Sequence, residues 1–146
     1  MPDDACPLPT RPGDDESAAI RRMLAGRRIA VVGLSDDPSR PSHDVASYLI
    51  SAGKDVIPVN PNHRSVLGRR CYASLDQVPG PIDLVDVFRR PEHCAEVARQ
   101  AVAVGAKGLW LQAGIASEEA ERIAAEAGID FVQDRCLKVE LMFSGQ

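Results

Sequence analysis

Apolar and polar positions along this chain fall into two alternating rhythms. Short aliphatic runs alternate with longer stretches in which apolar residues recur every three or four positions. The runs read as strands buried on both faces, the stretches as amphipathic helices. Strands are predicted over residues 28–33, 55–59, 82–88, 108–112 and 129–132, and helices over about 15–25, 42–52, 91–104, 118–127 and 137–143. The inward stripes are Ile20, Met23 and Leu24; Val45, Leu49 and Ala52; Cys94, Val97, Ala101 and Val104; and Ala120, Ile123, Ala124 and Ala127. Asp14 or Asp15 and Ser117 suit helix starts, and Gly26, Gly53, Gly105 and Gly128 suit helix ends. Pro58 removes a ladder donor, which makes the second strand either irregular or near an edge. Residues 61–80 form a long connection, with a turn at Leu67-Gly68 and a short helix near 74–78. Residues 1–13 hold four prolines and few large apolar residues and read as a flexible tail. Residues 14–146 read as one domain.

Strands alternating with helices predict an α/β fold: a doubly wound, Rossmann-like, parallel five-stranded sheet with helices on both faces. Ligands of such sheets bind at the carboxyl ends of the strands, where the winding reverses. Four loops converge there: Gly33 to Arg40, Asn60-Pro61, Phe88-Arg89-Arg90 and Gln112-Ala113-Gly114.

Composition narrows the picture. Hydrophobic residues make up 45% of the chain and aromatics only 4%, so aliphatic side chains and Ala must fill the core. The formal net charge of −4 argues against a nucleic-acid or anionic-membrane surface. No apolar run approaches the ~20 residues of a membrane helix, and the start lacks a signal-peptide core, so the expected compartment is the cytoplasm. Cys6, Cys71, Cys94 and Cys136 show no C-x-x-C spacing, against a disulfide framework or structural zinc. His43, His63 and His93 are scattered and read as solvated or capping residues. Asp86, in an apolar strand, is expected to be buried and hydrogen-bonded.

Candidate chemistry sits in the first loop. A strand stops at Gly33, and a polar loop runs to a helix starting at Pro41-Ser42. That arrangement aims backbone N–H groups and a helix dipole at a phosphate. The loop has one glycine where the dinucleotide fingerprint has three, and no Gly-Lys-Ser or Gly-Lys-Thr for a P-loop. It offers instead the hydroxyls of Ser35, Ser39 and Ser42 and the forked cation of Arg40, which suits phosphate geometry. Ser42 reads equally as a helix cap, and Arg40 as a solvated arginine. The second strand ends in Asn60-Pro61, without the carboxylate that NAD-binding domains place on a ribose. Arg64, Arg69 and Arg70 follow, within reach of an anion. The site therefore suits an adenine nucleotide with more than two pyrophosphate charges, which NADP and coenzyme A (CoA) both satisfy.

Six segments in order then carry a resemblance: Val32-Gly-Leu-Ser with Pro38-Ser-Arg-Pro-Ser, Val56-Ile-Pro-Val-Asn-Pro, Tyr72-Ala-Ser-Leu-Asp-Gln-Val-Pro, Ile82-Asp-Leu-Val-Asp-Val-Phe-Arg, Leu109-Trp-Leu-Gln-Ala-Gly and Asp134-Arg-Cys-Leu-Lys-Val-Glu. With them the chain resembles the stand-alone CoA-binding domain proteins, similar to the CoA-binding domain of the succinyl-CoA synthetase alpha subunit. The resemblance implies CoA or an acyl-CoA as ligand and no catalysis by this domain alone. It implies that the loop carrying Gly33, Leu34, Ser35, Pro38, Arg40 and Ser42 holds the phosphates. Asn60 and Pro61 would flank the nucleotide, Phe88 and Arg89 would bound the adenine side, and Gln112 would lie nearer the pantetheine path. The alternatives are a small NADP-dependent oxidoreductase, which lacks a Tyr-x-x-x-Lys pair here, and a detached subunit of an acyl-CoA ligase acting with a partner chain. Self-association stays open. Cys136, beside Arg135 and before the last helix, is either a structural cysteine or a thiol able to form a mixed disulfide with CoA.

Overall fold

The computed structural model describes residues 16–144. The proline-rich segment 1–13 and the cap at Asp14 or Asp15 lie outside the described residues. Helix α1 (Glu16–Ala25) leads into strand β1 (Arg28–Val32), helix α2 (Pro41–Ser51) and strand β2 (Asp55–Val59). A two-residue hairpin, β3 (Ser65–Val66) and β4 (Arg69–Arg70), and a 3-10 turn at Leu75–Gln77 fill the long connection. The chain continues through β5 (Leu84–Val87), α3 (Pro91–Ala103), β6 (Gly108–Leu111), α4 (Glu118–Ala127), β7 (Asp130–Val132) and α5 (Leu137–Met142).

The main sheet is five-stranded, in the order β2-β1-β5-β6-β7, and its neighbouring strands all pair in parallel. Each crossover therefore needs a covering element, and the helices supply it on both faces. Alternate side chains of the strands feed two separate cores. One joins Val31, Leu84 and Trp110 to α1, α2 and α5 through Met23, Leu49 and Leu137. The other joins Ala30, Val85 and Leu109 to α3 and α4 through Val97 and Ala120. The winding reverses between β1 and β5, the crevice where doubly wound sheets hold ligands. The expected fold is therefore observed.

Local rules explain most element ends. Pro41 and Pro91 open α2 and α3 at positions whose N–H would have no helical partner. The Ser117 hydroxyl accepts the Ala120 N–H and caps α4. Pro58 sits on the edge strand as expected. Its carbonyl accepts Tyr72 N–H on the outer side, so the missing proline donor faces outward too and costs the β1 ladder nothing. The Lys54 ammonium donates to the carbonyls of Leu24 and Gly26 and closes the end of α1. The Asp83 carboxylate accepts the N–H groups of Arg27 and Arg28, each at 2.9 Å. Those bonds, the one from Arg28 first, hold its carboxyl below the usual carboxylate range.

Some expectations are corrected and others extended. Ala52 and Ala127 are exposed, and Ala46 takes the buried place on α2. The predicted turn at Leu67-Gly68 is the apex of the β3–β4 hairpin, with φ of 54° and 71°. Arg69 bonds Asp55 and the Val56 carbonyl, at the amino end of β2, so it is far from the ligand end of the sheet. Arg70 lies over the Tyr72 ring. Asp86 is fully buried as expected, but neither carboxyl oxygen has a hydrogen-bond partner. It pairs in register with Val31 and Trp110, and burial pushes its pKa well above the ordinary value.

Candidate functional site

The site grows from the turn after β1. Gly33 has φ of +86°, and a Cβ there would collide with the Phe88 carbonyl oxygen. Only glycine allows β1 and β5 to stay this close at the reversal point. The ladder continues beyond the strands. Gly33 N–H donates to Val59 O at 2.8 Å, Phe88 N–H to Val32 O at 2.8 Å, and Gln112 N–H to Val87 O at 3.3 Å. These bonds bring the three loop starts side by side.

The loop organises itself with its own polar groups. Ser42 Oγ accepts Ser35 N–H and Ser35 Oγ accepts Asp37 N–H, each at 3.0 Å. Ser39 donates its N–H and its hydroxyl to Asp37 Oδ1. The backbone bond from Ser39, more than its hydroxyl, keeps the exposed Asp37 carboxyl below its usual range. A hydroxyl has two acceptor sites and one donor. Ser35 and Ser42 therefore spend acceptors on the loop, and neither hydroxyl donates to another group among the described residues. The Ser39 proton is already used. Asn60 Nδ2 donates to Leu34 O at 3.0 Å, tying the end of β2 to the same loop.

A cleft of about 850 Å³ opens over these groups. That size suits a nucleotide cofactor. From the first loop it is lined by Gly33, Ser35, Arg40 and Ser42. Asn60 stands at the end of β2, half-buried Phe88 with Arg89 after β5, and Gln112 after β6. Three other sequence candidates lie elsewhere. The Leu34 side chain is fully buried in the core. Pro38 is exposed on the outer turn of the loop. Pro61 lines a smaller hollow of about 180 Å³ next to β1, β2 and α3, which Arg89 and His93 also line.

Charge in the cleft is mainly cationic. Arg40, at the start of α2, and Arg89 make no ion pair among the described residues, while Arg90 faces Glu92 at 4.0 Å in solvent. Of the acids nearby, Asp44 pairs with Lys138 at 2.9 Å, and Asp36 Oδ2 lies 3.7 Å from His63 Nδ1. Gln112 is 4% exposed, and its Oε1 accepts the Leu137 N–H at 2.9 Å. Among the described residues, no group of three or more His, Cys, Asp and Glu could hold a metal ion. No described helix is long and apolar enough to cross a membrane.

The sequence signature of the CoA binding domain matches residues 27–142. The chain belongs to this family. It is 43% identical over 123 residues to the uncharacterized protein YneT of Bacillus subtilis, a match covering 84% of this chain and 91% of that protein. A solved structure of a hypothetical protein from Pyrococcus horikoshii superposes with a TM-score of 0.82 at 36% identity, covering 94% of this chain and 95% of that one. An ADP-forming acetate–CoA ligase of Archaeoglobus fulgidus is 27% identical over 105 residues. That match covers 70% of this chain but only 16% of the ligase.

In this CoA-binding domain the cleft also holds groups that sequence reasoning missed. Arg90 and Ala113 stand in loops that the sequence brings to this end of the sheet but were not singled out as site residues, and Pro91 directly follows Arg90. Asp44 and Val45 lie on the first turns of α2 just beyond Ser42. His63 reaches the cleft only because the long connection folds back, which no local pattern announces. Cys136 lines it as well, and the arginine beside it in sequence is engaged elsewhere. The Arg135 guanidinium is bound to Glu16 and Glu140 at 2.9 and 3.1 Å and is not available to the thiol.

Proposed function

We propose that this cleft binds coenzyme A or an acyl-CoA and that the chain does not catalyse a reaction by itself. The observation that carries the reading is the first loop. The Ser35 and Ser42 hydroxyls and the Arg40 guanidinium, which has no ion-pair partner among the described residues, line a nucleotide-sized cleft at the reversal point of the sheet. Such donors match a diphosphate, and Arg89 adds a second cation for a further phosphate. Family membership supports the same ligand class.

Calorimetry under reducing conditions with CoA, acetyl-CoA, NADP and NAD tests the reading. CoA or acetyl-CoA should bind and NAD should not. Tighter binding of NADP than of either CoA form would replace this reading with the oxidoreductase one. The likeness to part of an acetate–CoA ligase keeps one second reading, a subunit that works with a partner chain. Pull-down of a partner carrying an ATP-binding module would favour it.

A further inference from the structure

Four side chains in the long connection after β2 are able to carry positive charge: His63, Arg64, Arg69 and Arg70. Arg69 is held by Asp55, and Arg70 lies over the Tyr72 ring. Arg64 is exposed and does not line the cleft. His63 does line it, with its side chain only 23% exposed. From the sequence His63 reads as a solvated or capping residue, but a freely solvated imidazole would not be covered to that degree.

The turn that carries His63 is fixed by its own bonds. Asn62 N–H donates to Asn60 Oδ1 at 2.9 Å, and His63 N–H to Asn60 O at 3.4 Å. The Asn60 amide is in turn bonded to Leu34 O, so this turn and the first loop move as one piece. His63 Nδ1 lies 3.7 Å from Asp36 Oδ2 on that loop. A carboxylate beside one ring nitrogen leaves the other, Nε2, as the edge open to an occupant. Asp36 itself does not line the cleft and is well exposed, so solvent screens its charge. Position then decides which phosphate this edge would meet. β1 lies between β2 and β5, so the loop carrying Arg40 has His63 on one side and Arg89 on the other. The turn from β1 into α2 suits a diphosphate. In doubly wound sheets the end of the second strand meets the ribose, through a carboxylate for free hydroxyls and a nearby cationic side chain for an added phosphate. Here that end holds Asn60 in place of a carboxylate, with His63 just beyond it.

We propose that His63 is a specificity residue of the cleft: its Nε2–H donates to the ribose 3′-phosphate of CoA and sets a preference for CoA over dephospho-CoA, which lacks that group. The inference rests on the CoA reading above and deepens it. The diphosphate is common to CoA, dephospho-CoA and NAD, so the groups of the first loop cannot tell them apart. A donor placed toward the ribose can, because losing its acceptor leaves it without a partner in the complex.

The test titrates the full-length natural protein, His63→Ala and Arg89→Ala with CoA and with dephospho-CoA by calorimetry in reductant. The natural protein should prefer CoA by at least about tenfold, the scale of one hydrogen bond to a charged group. His63→Ala should lose most of that preference, with CoA bound more weakly and dephospho-CoA much less affected. Retained dephospho-CoA binding also shows that the variant is folded. Equal loss on both ligands would make His63 a general support of the cleft and overturns the proposal. A preference that survives in His63→Ala but vanishes in Arg89→Ala assigns the phosphate to Arg89 and overturns it too. Equal binding of both ligands by the natural protein overturns the proposal and leaves the CoA reading standing. No binding of either ligand overturns both.

Discussion

Arg40 is the residue on which phosphate recognition turns most simply. It stands at the start of α2 in extended backbone, its side chain caps nothing, and it makes no ion pair among the described residues. Removing its guanidinium takes away a charge-assisted hydrogen bond and little packing. Arg40→Ala should weaken CoA binding by about 1.5–3 kcal/mol, the range for hydrogen bonds to charged groups. Ligand-free thermal stability should hold, as at other exposed sites. Calorimetry beside a melting curve checks both, and unchanged affinity would remove Arg40 from the site. Asn60 is a contrasting residue. The second strand ends just before it, and it lines the cleft. Its amide locks Leu34 O and its Oδ1 accepts Asn62 N–H.

At the scale of elements, the turn from β1 to α2 depends on one missing methyl group. Gly33→Ala would force a Cβ against the Phe88 backbone and impose a left-handed conformation on alanine. Strain of that kind costs on the order of 1–3 kcal/mol. The variant should unfold at lower denaturant and lose CoA affinity together, since the loops after β1 and β5 must separate. Full affinity in Gly33→Ala would show that the close approach of the two loops is dispensable. Strands, helices and their order were legible because each follows a local rule: period, cap, proline or glycine. The hairpin at 65–70 was seen only as a turn, because its two-residue strands are too short to show a period. Ala52 and Ala127 misled because a small apolar residue at a helix end satisfies the stripe whether or not anything covers it.

For the whole molecule, Asp86 links stability to pH. It lies in the middle strand of the sheet, fully buried, with both oxygens unpartnered. No sequence pattern distinguishes such a carboxyl from a hydrogen-bonded one, since the missing partner would come from another element. Burial raises its folded pKa, so the native state holds a proton that the unfolded chain has released. Its contribution is fully present below the unfolded pKa and is lost as pH rises through the folded one. Stability should therefore fall with rising pH, by at most about 1.4 kcal/mol per pH unit for one proton. Asp86→Asn cannot titrate. Its advantage over the natural protein should grow from acid to neutral pH in urea titrations, and parallel curves would refute the linkage.

The self-bonded loop between β1 and α2 has a consequence for how tightly this molecule can hold a partner. Ser35, Ser39, Ser42 and Asp37 already freeze that segment before anything arrives. An incoming diphosphate need not order it, so little conformational freedom is lost on association. Affinity is then set chiefly by how long the complex survives rather than by how seldom the receptor is ready.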